Sequence, residues 1–181
     1  THMVASMQTS ARAWNAVEVN MENVVRTREV AKEAFKAREG IGLTFMPFVA
    51  RAVVDALAAY PFVNAELRDD AIVLKHYVNL GIAVSLGEDG LMVPSIARAQ
   101  ELSAEGLGRR IKELARAARS GDLTPDDVRG ATFTITNPGQ YGSIMATPII
   151  NQPQVAILDL EAIVKRPVVI ADGNGDDAIA I

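Results

Sequence analysis

Thr136 is the residue whose setting reads most sharply as chemistry. It ends the alternating run Thr132-Phe133-Thr134-Ile135-Thr136 and is followed by Asn137-Pro138-Gly139-Gln140-Tyr141-Gly142. A strand therefore delivers a hydroxyl to a loop whose glycines let a ligand come close. Such a hydroxyl can donate a hydrogen bond to a developing oxyanion. It can equally bond to a neighbouring backbone group in the turn, and residue type and spacing leave both readings open. Asp159 and Glu161 stand two apart on an apolar run, hence on one face of a strand, as paired carboxylates for acid–base work would. Lys165 and Arg166 follow closely, so ion pairing or a solvated strand edge is the expectation for them.

Other reactive groups are sparse. His2 and His76 lie far apart and neither has a ligand partner at helical or finger spacing, so no metal site is expected. His76, between Lys75 and Tyr77, reads as a partly exposed strand residue. Asp172-Gly173-Asn174-Gly175-Asp176-Asp177 opens like a calcium loop, but its sixth position is Asp where Gly is needed, so a hairpin turn is the better reading. The chain has no G-x-x-x-x-G-K-[ST], no G-x-G-x-x-G at a strand-to-helix turn, no G-x-S-x-G and no H-E-x-x-H. With zero cysteines, disulfides, thiolate metal sites and a cysteine nucleophile are excluded, which suits a cytoplasmic or organelle-matrix location.

The elements that must position these groups alternate along the chain. Val17, Val19 and Met21 alternate with polar residues over 14–21 and predict a first strand. Asn20 can cap a helix running to about Arg38 and stopping at Gly40, with Val24, Val25, Ala31 and Phe35 inward. Thr44 can cap a second helix with Pro47 in its first turn. Its apolar positions Phe45, Phe48, Val49, Ala52, Val53, Ala56 and Leu57 predict that it is largely buried. Short extended pieces follow at 63–67 and 72–74. Two strands over 80–86 and 91–96 are joined by the turn Gly87-Glu88-Asp89-Gly90. A helix covers about 103–119, and further strands are expected at 132–136, 155–160, 163–170 and 178–181. Interspersed helices and strands predict a single α/β domain with a mixed β-sheet and flanking helices.

Composition agrees with one globular unit. The chain has 181 residues, 49% of them hydrophobic, enough to bury a sizeable core built mainly from aliphatic residues. Its formal charge of −4 leaves no basic stripe for a nucleic-acid backbone, and no apolar run is long enough to span a membrane.

Taken in order, a set of short motifs resembles the catalytic domain of dihydrolipoamide acyltransferases, relatives of chloramphenicol acetyltransferase. They are Ala16-Val17-Glu18-Val19-Asn20-Met21, Leu43-Thr44-Phe45-Met46-Pro47-Phe48, Tyr60-Pro61-Phe62-Val63-Asn64-Ala65 and Asn79-Leu80-Gly81-Ile82-Ala83-Val84. Gly90-Leu91-Met92-Val93-Pro94, Gly121-Asp122-Leu123-Thr124-Pro125-Asp126-Asp127, Thr132-Phe133-Thr134-Ile135-Thr136-Asn137 and Thr147-Pro148-Ile149-Ile150-Asn151 continue the series. Each is weak alone. Together they cover nearly the whole of residues 1–181, which is then expected to be one acyltransferase catalytic domain, partial at its C-terminus.

The resemblance implies a chloramphenicol acetyltransferase-like fold and a trimer in which coenzyme A and a lipoyl arm enter a channel between subunits. It implies transfer of a succinyl, acetyl or branched-chain acyl group between dihydrolipoamide and coenzyme A. The partners implied are further copies in a cubic or dodecahedral core, a lipoyl domain and the dehydrogenase components of a 2-oxoacid dehydrogenase complex. Thr136 aligns with the family's oxyanion hydroxyl, and Asn137, Gly139, Leu91 and Met92 are the implied substrate contacts. The family's general base lies in an H-x-x-x-D-G motif absent from these residues, so the 181 residues alone are expected to be inactive. In the family that motif follows a strand like the one at 178–181, so the chain is expected to be cut within the fold. Arg12 stands where many relatives have His, and Asp159 and Glu161 where relatives often have Gly. Two other readings accompany this one: a non-catalytic trimeric scaffold, and a stand-alone chloramphenicol-type O-acetyltransferase.

Overall fold

A computed structural model describes residues 2–181, with Asp89 described by its backbone alone. The chain opens with α1 (His2–Thr9), pinned where the Ser6 hydroxyl donates to the Ile150 carbonyl at 2.6 Å. The strand expected at 14–21 does not form. Residues 10–21 have no regular structure, with Trp14 62%, Val17 77% and Val19 69% exposed. A strand needs a hydrogen-bonding neighbour, and no strand of the described residues pairs with this arm, so its alternating pattern finds nothing to pack on. Then α2 (Glu22–Glu39) begins where the Asn20 side chain accepts the Glu22 N–H at 2.9 Å. It ends at Gly40, whose φ of 69° supplies the left-handed cap.

Next, α3 (Met46–Ala59) starts one residue later than Thr44 predicts. Phe45 holds the cap position without a side-chain bond, and Pro47 sits in the first turn. Its buried line is Pro47, Ala50, Val54 and Leu57, whereas Ala52 and Ala56 are exposed. The helix is covered on one side only, so the apolar stripe is narrower than its composition suggests. After a turn at Pro61–Val63 come β1 (Ala65–Arg68) and β2 (Ala71–Leu74), an antiparallel hairpin. His76 then lies exposed in a bend and not in a strand.

Each strand expected over 80–96 is broken once, giving β3 (Leu80–Ile82), β4 (Val84–Ser85), β5 (Leu91–Met92) and β6 (Ser95–Ile96). Pro94 lacks an N–H, which interrupts the ladder, yet its carbonyl still accepts the Ile82 N–H at 2.9 Å. The last helix, α4 (Ala104–Ser120), is capped by the Ser103 hydroxyl, which accepts the Gly106 N–H, and closed by Gly121 at φ 78°. The chain ends with β7 (Phe133–Thr136), β8 (Ile157–Asp159), β9 (Val168–Ala171) and β10 (Asp177–Ala180). No helix among the described residues is long and apolar enough to cross a membrane.

The central sheet runs β6-β3-β7-β8, with β6 antiparallel to β3 and the other pairs parallel. Alternation gives it two unlike faces. Leu80, Ile82, Ile96, Phe133 and Ile135 join Ala50, Val54 and Leu57 of α3 and Leu107, Leu114 and Ala118 of α4 in one core. Each large side chain buried there stabilises the fold by about 1.5–3 kcal/mol. Ser95, Gly81, Thr134, Thr136 and Asp159 occupy the alternate positions together with Ile157, so the opposite face is mostly polar. A separate ribbon of β9 and β10 is joined by a turn in which the Asp172 carboxylate accepts the N–H groups of Asn174 and Asp176, the hairpin turn expected there.

Candidate functional site

Thr136 is the last residue of β7, half-buried, at the edge where the three parallel strands end. Its in-register neighbour on β8 is Asp159, so both side chains leave the polar face side by side. Its carbonyl accepts the Leu160 N–H at 3.0 Å. Two residues before it, the Thr134 hydroxyl donates to the Gln154 amide oxygen at 2.7 Å, and that buried pair holds the polar face in register. A Cβ on Gly81 would come within 2.9 Å of the Thr134 hydroxyl, so glycine is the residue that lets the two strands pair here.

The loop after Thr136 is laced to the segment after β8. Asn137 precedes a turn at Pro138–Tyr141, the Gly139 N–H donates to the Leu160 carbonyl at 3.2 Å, and the Ala162 N–H donates to the Ser143 carbonyl at 2.9 Å. Gly139 lies directly on the Glu161–Ala162 peptide: a Cβ there would overlap the Glu161 carbonyl carbon. Thr136, Asn137 and Gly139 therefore form one clasped unit. Leu91 and Met92 lie on β5, which pairs with β4, and β4 continues β3 past the point at which the Ala83 N–H donates to the Ile135 carbonyl. The fold thus carries all five sequence-predicted residues to the same end of the sheet.

Asp159 and Glu161 depart from expectation. Among the described residues neither forms an ion pair with Lys165 or Arg166, and Arg166 pairs instead with Glu18 of the N-terminal arm. All four carboxyl oxygens of the pair are shielded from solvent and accept no hydrogen bond from another group. Burial, then the charge of Glu161, pushes the Asp159 carboxyl up to about 6. Residues 160–167 follow an irregular path with Lys165 and Arg166 exposed, so closeness in sequence to Asp159 and Glu161 does not make the two cations their partners.

Elsewhere, the His2 ring meets the Gln152 carbonyl at 3.0 Å in an exposed setting. No group of three potential metal ligands occurs among the described residues.

The fold and its polar strand edge define a chloramphenicol acetyltransferase-like α/β domain. The family model for the 2-oxoacid dehydrogenases acyltransferase catalytic domain matches residues 1–180, and the chain belongs to that family. It is 46% identical over 178 residues to the dihydrolipoyllysine-residue acetyltransferase component of the pyruvate dehydrogenase complex of Mycobacterium bovis, covering 97% of this chain and 32% of that protein. It is 43% identical over 173 residues to the lipoamide acyltransferase component of the branched-chain alpha-keto acid dehydrogenase complex of Bacillus subtilis, covering 96% and 41%. The crystal structure of a probable dihydrolipoamide acetyltransferase from Listeria monocytogenes superposes with a TM-score of 0.92 at 42% identity, over 98% of this chain and 74% of that one. The chain thus spans about a third to two fifths of the length of these curated relatives.

Proposed function

We propose that this chain is the part of a dihydrolipoamide acyltransferase that carries the oxyanion-stabilising hydroxyl, in the core of a 2-oxoacid dehydrogenase complex. The observation that carries this is Thr136, held at the end of β7 beside a glycine clasped to the next strand, in a chain of this family. In the reaction the coenzyme A sulfur attacks the thioester carbonyl of acyl-dihydrolipoamide as its proton leaves to a base. The carbon–oxygen double bond opens to an oxyanion, to which the Thr136 hydroxyl donates. Collapse expels the dihydrolipoamide sulfur, which takes back a proton, and leaves acyl-coenzyme A. A hydroxyl so aimed is worth about 10²- to 10³-fold in rate. Asn137 and Gly139 shape the loop over the acyl group, and Leu91 and Met92 supply apolar contact for the pantetheine or lipoyl arm.

No H-x-x-x-D-G motif, which would supply the proton acceptor, occurs in these 181 residues, and a positioned base is worth about 10²- to 10⁴-fold. The 181 residues alone therefore turn over at least ~100-fold more slowly than a polypeptide that includes that motif. The exposed arm at 10–21 and the exposed β9–β10 ribbon support assembly with further copies, a trimer being the smallest unit. We assign the protein to a reducing compartment, cytoplasm or organelle matrix. Relatives transfer different acyl groups, so the deciding assay offers the intact protein acetyl-, succinyl- and branched-chain acyl-coenzyme A with dihydrolipoamide. Acylation of the thiol by any of them supports the reading. Transfer to a hydroxyl acceptor with none to the thiol overturns it in favour of an O-acetyltransferase.

A further inference from the structure

We propose that Asp159 and Glu161 are positioning residues for Thr136 and its loop, acting as a carboxyl pair that shares one proton. The inference rests on Thr136 being the hydroxyl that reacts. Four carboxyl oxygens lie out of solvent without a donor from any other group, and the cations nearest in sequence turn away. Two buried carboxylates cannot both stay charged at close range, whereas a carboxylic O–H from one can donate to the oxygen of the other. That single proton is the means the described residues offer to satisfy the pair.

Its location gives it an effect. Asp159 is the registered neighbour of Thr136, and Glu161 is the residue whose peptide fills the space where Gly139 has no side chain. Between and beyond them, the hydrogen bonds from Leu160 to Thr136, from Gly139 to Leu160 and from Ala162 to Ser143 tie segment 159–162 to the loop. When the proton leaves, repulsion within the pair acts directly on the strand that clasps the loop. Glu161 is the charged group acting on Asp159. From β7 the facing side chain is the uncharged Thr136, and the loop's ionisable Tyr141 is exposed.

The sign follows from the Asp159 carboxyl lying near 6 in the fold against an ordinary 3.8. The folded state holds the proton more tightly, so the pair's contribution is full below about 4. It is lost as pH rises to about 6 and is flat above. The loop is thus clasped in acid and loosened at neutral pH.

The test follows amide hydrogen exchange, corrected for intrinsic rates, in peptides covering 136–143 and 157–163 of the intact protein from pH 5 to 8. For the native protein we expect exchange in both segments to rise by about tenfold over that range, nearly all of it between pH 5 and 7, while peptides of α4 stay unchanged. Asp159→Asn donates to the Glu161 carboxylate at every pH and should hold both segments protected throughout, and Glu161→Gln, the second variant should the first not fold, should do the same. A flat native profile overturns the proposal, as does a variant that tracks the native protein. Because this readout needs no substrate, loss of acyl transfer with an intact exchange pattern would count against the proposed function and not against the proton-sharing pair.

Discussion

Thr136 and Asp159 are registered neighbours at the ends of two parallel strands, so the hydroxyl proposed to meet an oxyanion emerges beside a carboxyl raised to about 6. An anion next to an oxyanion donor opposes the charge that develops in the transition state, and a protonated carboxyl does not. The chemistry of the strand edge is therefore tied to the protonation of its neighbour.

Replacing Thr136 with Val keeps the β-branched shape and removes only the donor. In the intact protein kcat should fall by about 10²- to 10³-fold, with the KM for coenzyme A within about threefold of native. Steady-state kinetics with acyl-dihydrolipoamide decide this, and a loss confined to KM would assign Thr136 to binding.

Gly139→Ala places a methyl group where the Glu161 carbonyl carbon already stands. Backbone on both sides must move, and we expect a loss of about 1–3 kcal/mol in urea unfolding, together with weaker acyl transfer. Gly40→Ala, where a side chain meets nothing within 4 Å but φ is 69°, serves as a control that costs stability without touching the site.

Glu66 carries the opposite electrostatic signature to Asp159. Lys75 at 3.0 Å, with help from Arg68, holds its carboxyl below the ordinary 4.5. The folded state prefers the charged form, so this contribution is present above about 4.5 and disappears as pH falls through the lowered value. Lys75→Met should cost about 1–3 kcal/mol at pH 7, less at pH 3, in denaturant titrations at the two pH values.

Trp14 is the single tryptophan and stands exposed on the N-terminal arm. If further copies cover that arm, its emission shifts to the blue and acrylamide quenching falls several-fold as protein concentration rises through the assembly range. Emission that stays red-shifted in an assembled sample would remove the arm from the interface.

Much of this was legible from residue patterns. The three α-helices of 22–120 follow from their apolar spacing, with the Asn20 side chain, the stop at Gly40 and the proline at 47 as local devices, whereas the cap expected at Thr44 gives way to Phe45. The delivery of Thr136 to a glycine loop was equally local. What escaped were features set by neighbours distant in sequence. The arm at 14–21 has a strand's pattern but no partner, Ala52 and Ala56 have a core residue's chemistry but no covering layer, and the companions of Asp159 depend on where 160–167 turns. None of these is encoded in spacing along the chain.

The β9–β10 ribbon has one more consequence. Val169 and Ile179 pair with each other and, like Val168 and Ile170, stand open to solvent on a two-stranded edge. An edge of that kind templates indiscriminate strand addition, so any preparation in which the ribbon stays uncovered should cloud on standing, faster at higher concentration and near the pI of 5.2, where charge repulsion vanishes. Shelf life, more than melting temperature, will limit how this chain is handled.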